Sequence, residues 1–94
     1  GAVQGDAGAA RAILAGKSLL PAGVTRIEGD FARGDSVLIR HADHGGEIGR
    51  GLVAYDSTEA AQLLGRRSGE IEALLGAPGR AEIIHRDDMV LVGE

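Results

Sequence analysis

The sequence contains no cysteine and no tryptophan, only two aromatic residues, Phe31 and Tyr55, and only two prolines. Without cysteine there is no disulfide, no thiolate nucleophile and no sulfur-ligated zinc, so packing alone must hold the fold and a reducing compartment, the cytoplasm, is expected. Two aromatics cannot build a stacking platform for single-stranded nucleic acid. Positive charge is scarce too: 10 Lys and Arg against 14 Asp and Glu leave a net charge of -4, which excludes a broad polybasic face. No apolar run approaches the roughly 20 residues that cross a bilayer, and no charged-then-apolar leader opens the chain, so no membrane partner is expected.

What is present is enough for one small domain over residues 1–94. The chain is 44% hydrophobic, sufficient for a single core at this size, and its 16 glycines punctuate it throughout. It opens Gly1-Ala2-Val3 without Met, which fits processing or excision from a longer polypeptide, and excision is expected.

The spacing of apolar and turn residues predicts the element order strand, helix, about three strands, two short helices and two strands. Asp6 is placed to cap a helix running to about Ala15, with Ala9, Ala10, Ile13 and Leu14 as its apolar face and Gly16 at its exit. Pro21 forbids continuation, and Val24 to Phe31 alternates as a half-buried strand. Ser36 to His41 is the next strand; the glycines of Asp43-His44-Gly45-Gly46 turn the chain into a long strand over 47–55, whose Gly49 and Gly51 mark either a bend or another element packed close to the backbone. Ser57 starts a helix with the stripe Ala60, Ala61 and Leu64, and Ser68 starts another with Ile71, Leu74 and Leu75. Arg80 to His85 and Met89 to Val92 follow as strands around the turn Arg86-Asp87-Asp88. Strands outnumber helices and connections are short, so the expected fold class is mainly β with short α-helices, an antiparallel, partly closed barrel with helices at its margins.

Several motifs suggest chemistry and fail on their context. Gly16-Lys17-Ser18 ends like a phosphate-binding P-loop, but Arg11 stands where the first glycine belongs and Pro21 blocks the helix that would face the phosphates. His85-Arg86-Asp87 matches the catalytic-loop triplet of protein kinases, yet Val92 replaces the metal-binding Asn five residues on. His41, Asp43 and His44 could ligate zinc, but they sit on a Gly-Gly turn with no fourth ligand at suitable spacing. Ser18, Ser36, Ser57 and Ser68 lack the glycine frame of a hydrolase elbow, and Ser57 and Ser68 stand where helix caps are wanted. The residues assign neither a catalytic group nor a metal site, so the chain reads as a binding or structural module.

Taken in order, Asp6-Ala7-Gly8-Ala9, Gly16-Lys17-Ser18-Leu19-Leu20-Pro21-Ala22-Gly23-Val24, Gly29-Asp30-Phe31-Ala32-Arg33-Gly34-Asp35, Arg50-Gly51-Leu52, Tyr55 and Ile84-His85-Arg86-Asp87-Asp88-Met89-Val90-Leu91 resemble the PUA domain family. The run Lys17 to Gly23 and the segment His85 to Asp88 look specifically like the C-terminal PUA domains of bacterial glutamate 5-kinases. The resemblance implies a pseudobarrel of mixed strands flanked by short helices. It implies a parent enzyme that moves the γ-phosphoryl group of ATP, with magnesium, onto the side-chain carboxylate of glutamate in the first step of proline biosynthesis. Those sites belong to an N-terminal amino-acid-kinase domain absent here, so no cofactor is expected in this chain.

PUA domains elsewhere bind structured RNA through the first helix and its flanking glycine turns, where phosphates can approach main-chain amides that no side chain shields. Carried onto this chain, the RNA-binding or docking surface comprises Asp6, Gly8, Ala9, Arg11, Lys17, Ser18, Leu20, Pro21, Gly23 and Arg86. Only Arg11, Lys17 and Arg86 among these could neutralise phosphates, and Asp6 would repel them. Two functions follow: a regulatory or assembly module contacting the kinase domain and neighbouring subunits, or an RNA-binding module.

Overall fold

The computed structural model describes residues 1–92. It contains a five-stranded mixed sheet in the order β2-β1-β3-β4-β5, with β1 Ala2–Gly5, β2 Val24–Glu28, β3 Ser36–His41, β4 Glu47–Leu52 and β5 Met89–Leu91. β1 runs antiparallel to β2 and parallel to β3, and β3-β4 and β4-β5 are antiparallel. Three short helices, α1 Ala7–Leu14, α2 Ser57–Leu63 and α3 Ile71–Leu75, lie around it. The expected fold class, mainly β with largely antiparallel pairing, is the one observed.

α1 starts where expected because the Asp6 carboxylate accepts a hydrogen bond from the Ala9 amide at 2.7 Å, satisfying one of the first-turn donors. Its buried face is narrower than the sequence pattern, Ala10 and Ile13, and Leu14 is 67% exposed. α2 is capped by Asp56 rather than Ser57: Asp56 and Glu59 form a reciprocal capping box. The expected stripe is corrected to Ala60 and Leu63, with Ala61 facing solvent. Ser57 Oγ instead accepts from the Phe31 amide, and Ser68 Oγ donates to the Ala81 carbonyl.

Three expected strands end differently. β2 stops at Glu28 because Gly29 takes φ +74°, a left-handed turn that breaks the ladder and swings Phe31 into the core. β4 stops at Leu52; the Val53 and Ala54 amides leave the sheet to bond Asp35 and Ile83. Arg80 to His85 is not a strand. It makes one bridge, Leu19 with Ile84, and passes extended through the interior with Ile83 and Ile84 both fully buried.

One core holds these parts together, built from Val3, Ile13, Leu19, Val37, Ile39, Leu63 and Ile84 among others, with no buried polar or charged residue among those described. Gly49 and Gly51 explain how the last strand closes on it. They face β5, and Gly51 also faces Ile84, at distances that leave no room for a Cβ.

Candidate docking and nucleic-acid surface

Two clefts flank α1 and share Lys17 as a common lining residue. The first, about 430 Å³, is lined by Gly8, Ala9, Ala12, Lys17, Ser18, Leu20, Ala22, Gly23 and Glu82. It exists because the chain folds back on α1 after Pro21: the Asp6 amide donates to the Gly23 carbonyl at 2.9 Å, and a Cβ on Gly23 would lie 2.7 Å from that of Ala9. The glycine is therefore required for close approach of the turn to the helix. The second cleft, about 220 Å³, lies between the end of α1 and β5 and is lined by Ile13, Leu14, Gly16, Lys17, Arg86, Met89 and Leu91.

Of the ten residues carried onto the surface from the sequence, Gly8, Ala9, Lys17, Ser18, Leu20 and Gly23 line the first cleft. Arg86 joins Lys17 in the second, its amide donating to Ser18 Oγ at 2.9 Å. Asp6 is engaged as the α1 cap, and Arg11 is exposed but lines neither cleft. Pro21 is corrected: it is fully buried and supports the turn from inside. Glu82, which the sequence reading missed, sits in the first cleft with Lys17. That cleft thus carries one charge of each sign over an apolar lining that includes Leu20, 46% exposed.

A second polar constellation lies elsewhere, around Tyr55. Arg33 makes a two-pronged ion pair with Glu59, one contact being Nε to Oε1 at 2.8 Å, and its guanidinium lies 5.8 Å from the Tyr55 ring centre. The Tyr55 hydroxyl donates to the Arg80 carbonyl, and burial pushes its pKa up. The Arg33 hydrogen bonds hold the Glu59 carboxyl at about 2, against an ordinary 4.5. Its proton affinity is lower in the folded state, so the pair's stabilisation is complete above the unfolded pKa and is lost as pH falls from about 4.5 towards 2. Urea midpoints measured across that window should decline, and Glu59→Gln should flatten this part of the decline. The signal for the site was the Asp56-Ser57-Thr58-Glu59 spacing of a capping box.

His41 and His44 stack with ring centres 4.3 Å apart, and each Nδ1 accepts a backbone amide two residues on, from Asp43 and Gly46. Among the described residues no three His, Asp or Glu side chains converge as metal ligands, and no helix is long and apolar enough to cross a membrane.

Against known proteins, the chain is 61% identical over 88 residues to the glutamate 5-kinase of Nitrobacter winogradskyi, covering 94% of this chain and 23% of that protein. It is 57% identical over 88 residues to the glutamate 5-kinase of Paramagnetospirillum magneticum, covering 94% and 24%. It thus spans about a quarter of the length of these relatives. A PUA domain from Aeropyrum pernix K1, solved as a tartrate complex, superposes with a TM-score of 0.68 at 28% identity, covering 100% of this chain and 44% of that one. The PUA domain family model matches residues 1–75, which take in the sheet from β1 to β4 and all three helices. This protein belongs to the PUA domain family.

Proposed function

We propose that this chain is the non-catalytic PUA module of a glutamate 5-kinase, acting in regulation or assembly of the enzyme by docking against the kinase domain or a neighbouring subunit. ATP, magnesium and glutamate would be handled in that kinase domain, in the cytoplasm, with this module supplying a surface and no reacting group. The observation that carries the reading is the first cleft: its lining is largely apolar, and its single cation, Lys17, is matched by Glu82. Such a groove suits a protein surface, where apolar contact and a few paired charges suffice, better than a phosphate backbone, which needs several uncompensated cations. The test compares the full-length enzyme with a version lacking these 94 residues. Proline inhibition, magnesium dependence or oligomer size should change; identity in all three would overturn the proposal.

A second reading, binding of structured RNA, is supported by the pairing of Lys17 with Arg86 in a cleft that no acidic residue lines. With Arg11, about three phosphates would be neutralised, so log affinity should fall against log salt with a slope near -2 to -3. Lys17→Ala should make that slope shallower by about one. Absence of saturable binding to transfer RNA or duplex RNA at low salt would reject it.

A further inference from the structure

β5 is an edge strand of the sheet, and among the described residues no strand pairs with its outer side. Its register with β4 pairs Arg50 with Val90, and the Val92 amide bonds the Ile48 carbonyl at 2.9 Å. In an antiparallel ladder the bonded pairs alternate, so Val90 and Val92 face β4 while the N–H and C=O groups of Met89 and Leu91 point away from it. Those same two residues line the second cleft, beside Ile13, Leu14, Lys17 and Arg86. Leu14 was expected in the core face of α1, yet it is 67% exposed there, a large apolar side chain at the mouth of the cleft. Both charges on the lining are positive. Asp87, 3.8 Å from Arg86, does not line the cleft.

We propose that the cleft between the end of α1 and β5 receives an extended segment of a protein partner, with acidic and aliphatic residues alternating, as a sixth strand on β5. The open backbone groups of Met89 and Leu91 supply main-chain hydrogen bonds, the usual source of affinity in strand addition. Alternation follows from the pleat: successive side chains of the added strand point to opposite sides, so acidic ones enter the cleft to meet Lys17 and Arg86, while aliphatic ones lie on the other face beside Val90 and Val92, 65% and 57% exposed. In a protein of net charge -4 the charged residues lining this cleft are both cations, Lys17 and Arg86, and although Arg86 also lies 3.8 Å from Asp87 the lining favours an acidic partner. The inference rests on the docking role proposed above and adds to it a second contact, at the other cleft, with its partner chemistry.

The test uses the whole chain with a fluorescein-labelled synthetic peptide of about seven residues in which Glu alternates with Val. Saturable anisotropy is expected, with Lys17→Glu and Arg86→Glu each weakening binding by about tenfold because a like charge replaces an opposite one. Hydrogen exchange at the Met89 and Leu91 amides should slow on binding. Of two peptides N-methylated on alternate backbone positions, one should lose binding, since a strand bonds through only one of its two edges. Equal binding of both methylated peptides or of a Lys-Val peptide, or unchanged exchange at Met89 and Leu91, would overturn the proposal. Binding of duplex RNA but not of the peptide would overturn it in favour of the RNA reading. Loss of the peptide result alone leaves the truncation comparison standing, so the two failures are distinguishable.

Discussion

Ile84→Ala is expected to lower the stability of the domain by about 3 to 4 kcal/mol, a large part of the whole for a chain of this size. Ile84 is fully buried, its backbone forms the single bridge to Leu19, and its side chain packs over β4 at Gly51, where no side chain intervenes. The same contact predicts a coupling. A Cβ on Gly51 would lie 2.5 Å from Ile84 Cγ2 and 3.1 Å from the Asp88 carbonyl oxygen, so Gly51→Ala alone should cost about 2 kcal/mol through overpacking. In the Ile84→Ala background the added methyl enters space vacated by Cγ2. The double variant should therefore be more stable than the sum of the single costs by about 1 kcal/mol. Urea denaturation of the four proteins measures this, and strict additivity would show that the two positions do not meet.

Gly49→Ala should separate β5 from the sheet at a cost of about 2 to 3 kcal/mol. Here the obstacle is main chain: the new Cβ would overlap the Val90 carbonyl oxygen and lie 3.1 Å from Leu91 Cα. A side-chain end can rotate aside, but strand backbone cannot, so the β4-β5 ladder must open. The Val92 amide, bonded to Ile48, should then exchange faster, as should Val90, while the β1-β3 pairing keeps its protection. Gly69→Ala is the control, since nothing lies within 4 Å and its φ is not left-handed; its effect should stay within about 0.5 kcal/mol. Equal losses at Gly49 and Gly69 would contradict the close packing of the last strand. Because β5 also borders the second cleft, Gly49→Ala should weaken any ligand of that cleft.

Much of this was legible in the residues because the signals are local. Asp6 and Gly16 bracket α1, Pro21 opens the separate turn that follows, and the run from Ser36 to His41 is a strand within its expected bounds. The surface segment from Gly8 to Gly23 came from the family resemblance and not from local signals; the structure sets Gly8, Ala9, Lys17, Ser18, Leu20 and Gly23 along one cleft. The misplacements came where distant chain competes for the same backbone. Ile83-Ile84 reads as a strand face, yet consecutive residues of an extended chain point oppositely, and both are buried because the segment passes between two packed layers. Leu14 continues an apolar stripe by spacing, but among the described residues it is left 67% exposed at the end of α1. Glu82 carries no motif, and only folding brings it opposite Lys17.

Composition and local spacing by themselves determined a small, cysteine-free, glycine-punctuated β domain with a capped first helix, because caps, turns and alternation act over a few residues. Tertiary structure alone decided that β1 pairs parallel with β3, that β5 is left with an open edge, and that Lys17 is balanced by Glu82 in one cleft and reinforced by Arg86 in the other. Those are contacts between residues far apart in sequence, set by which layers can bury one another's apolar faces.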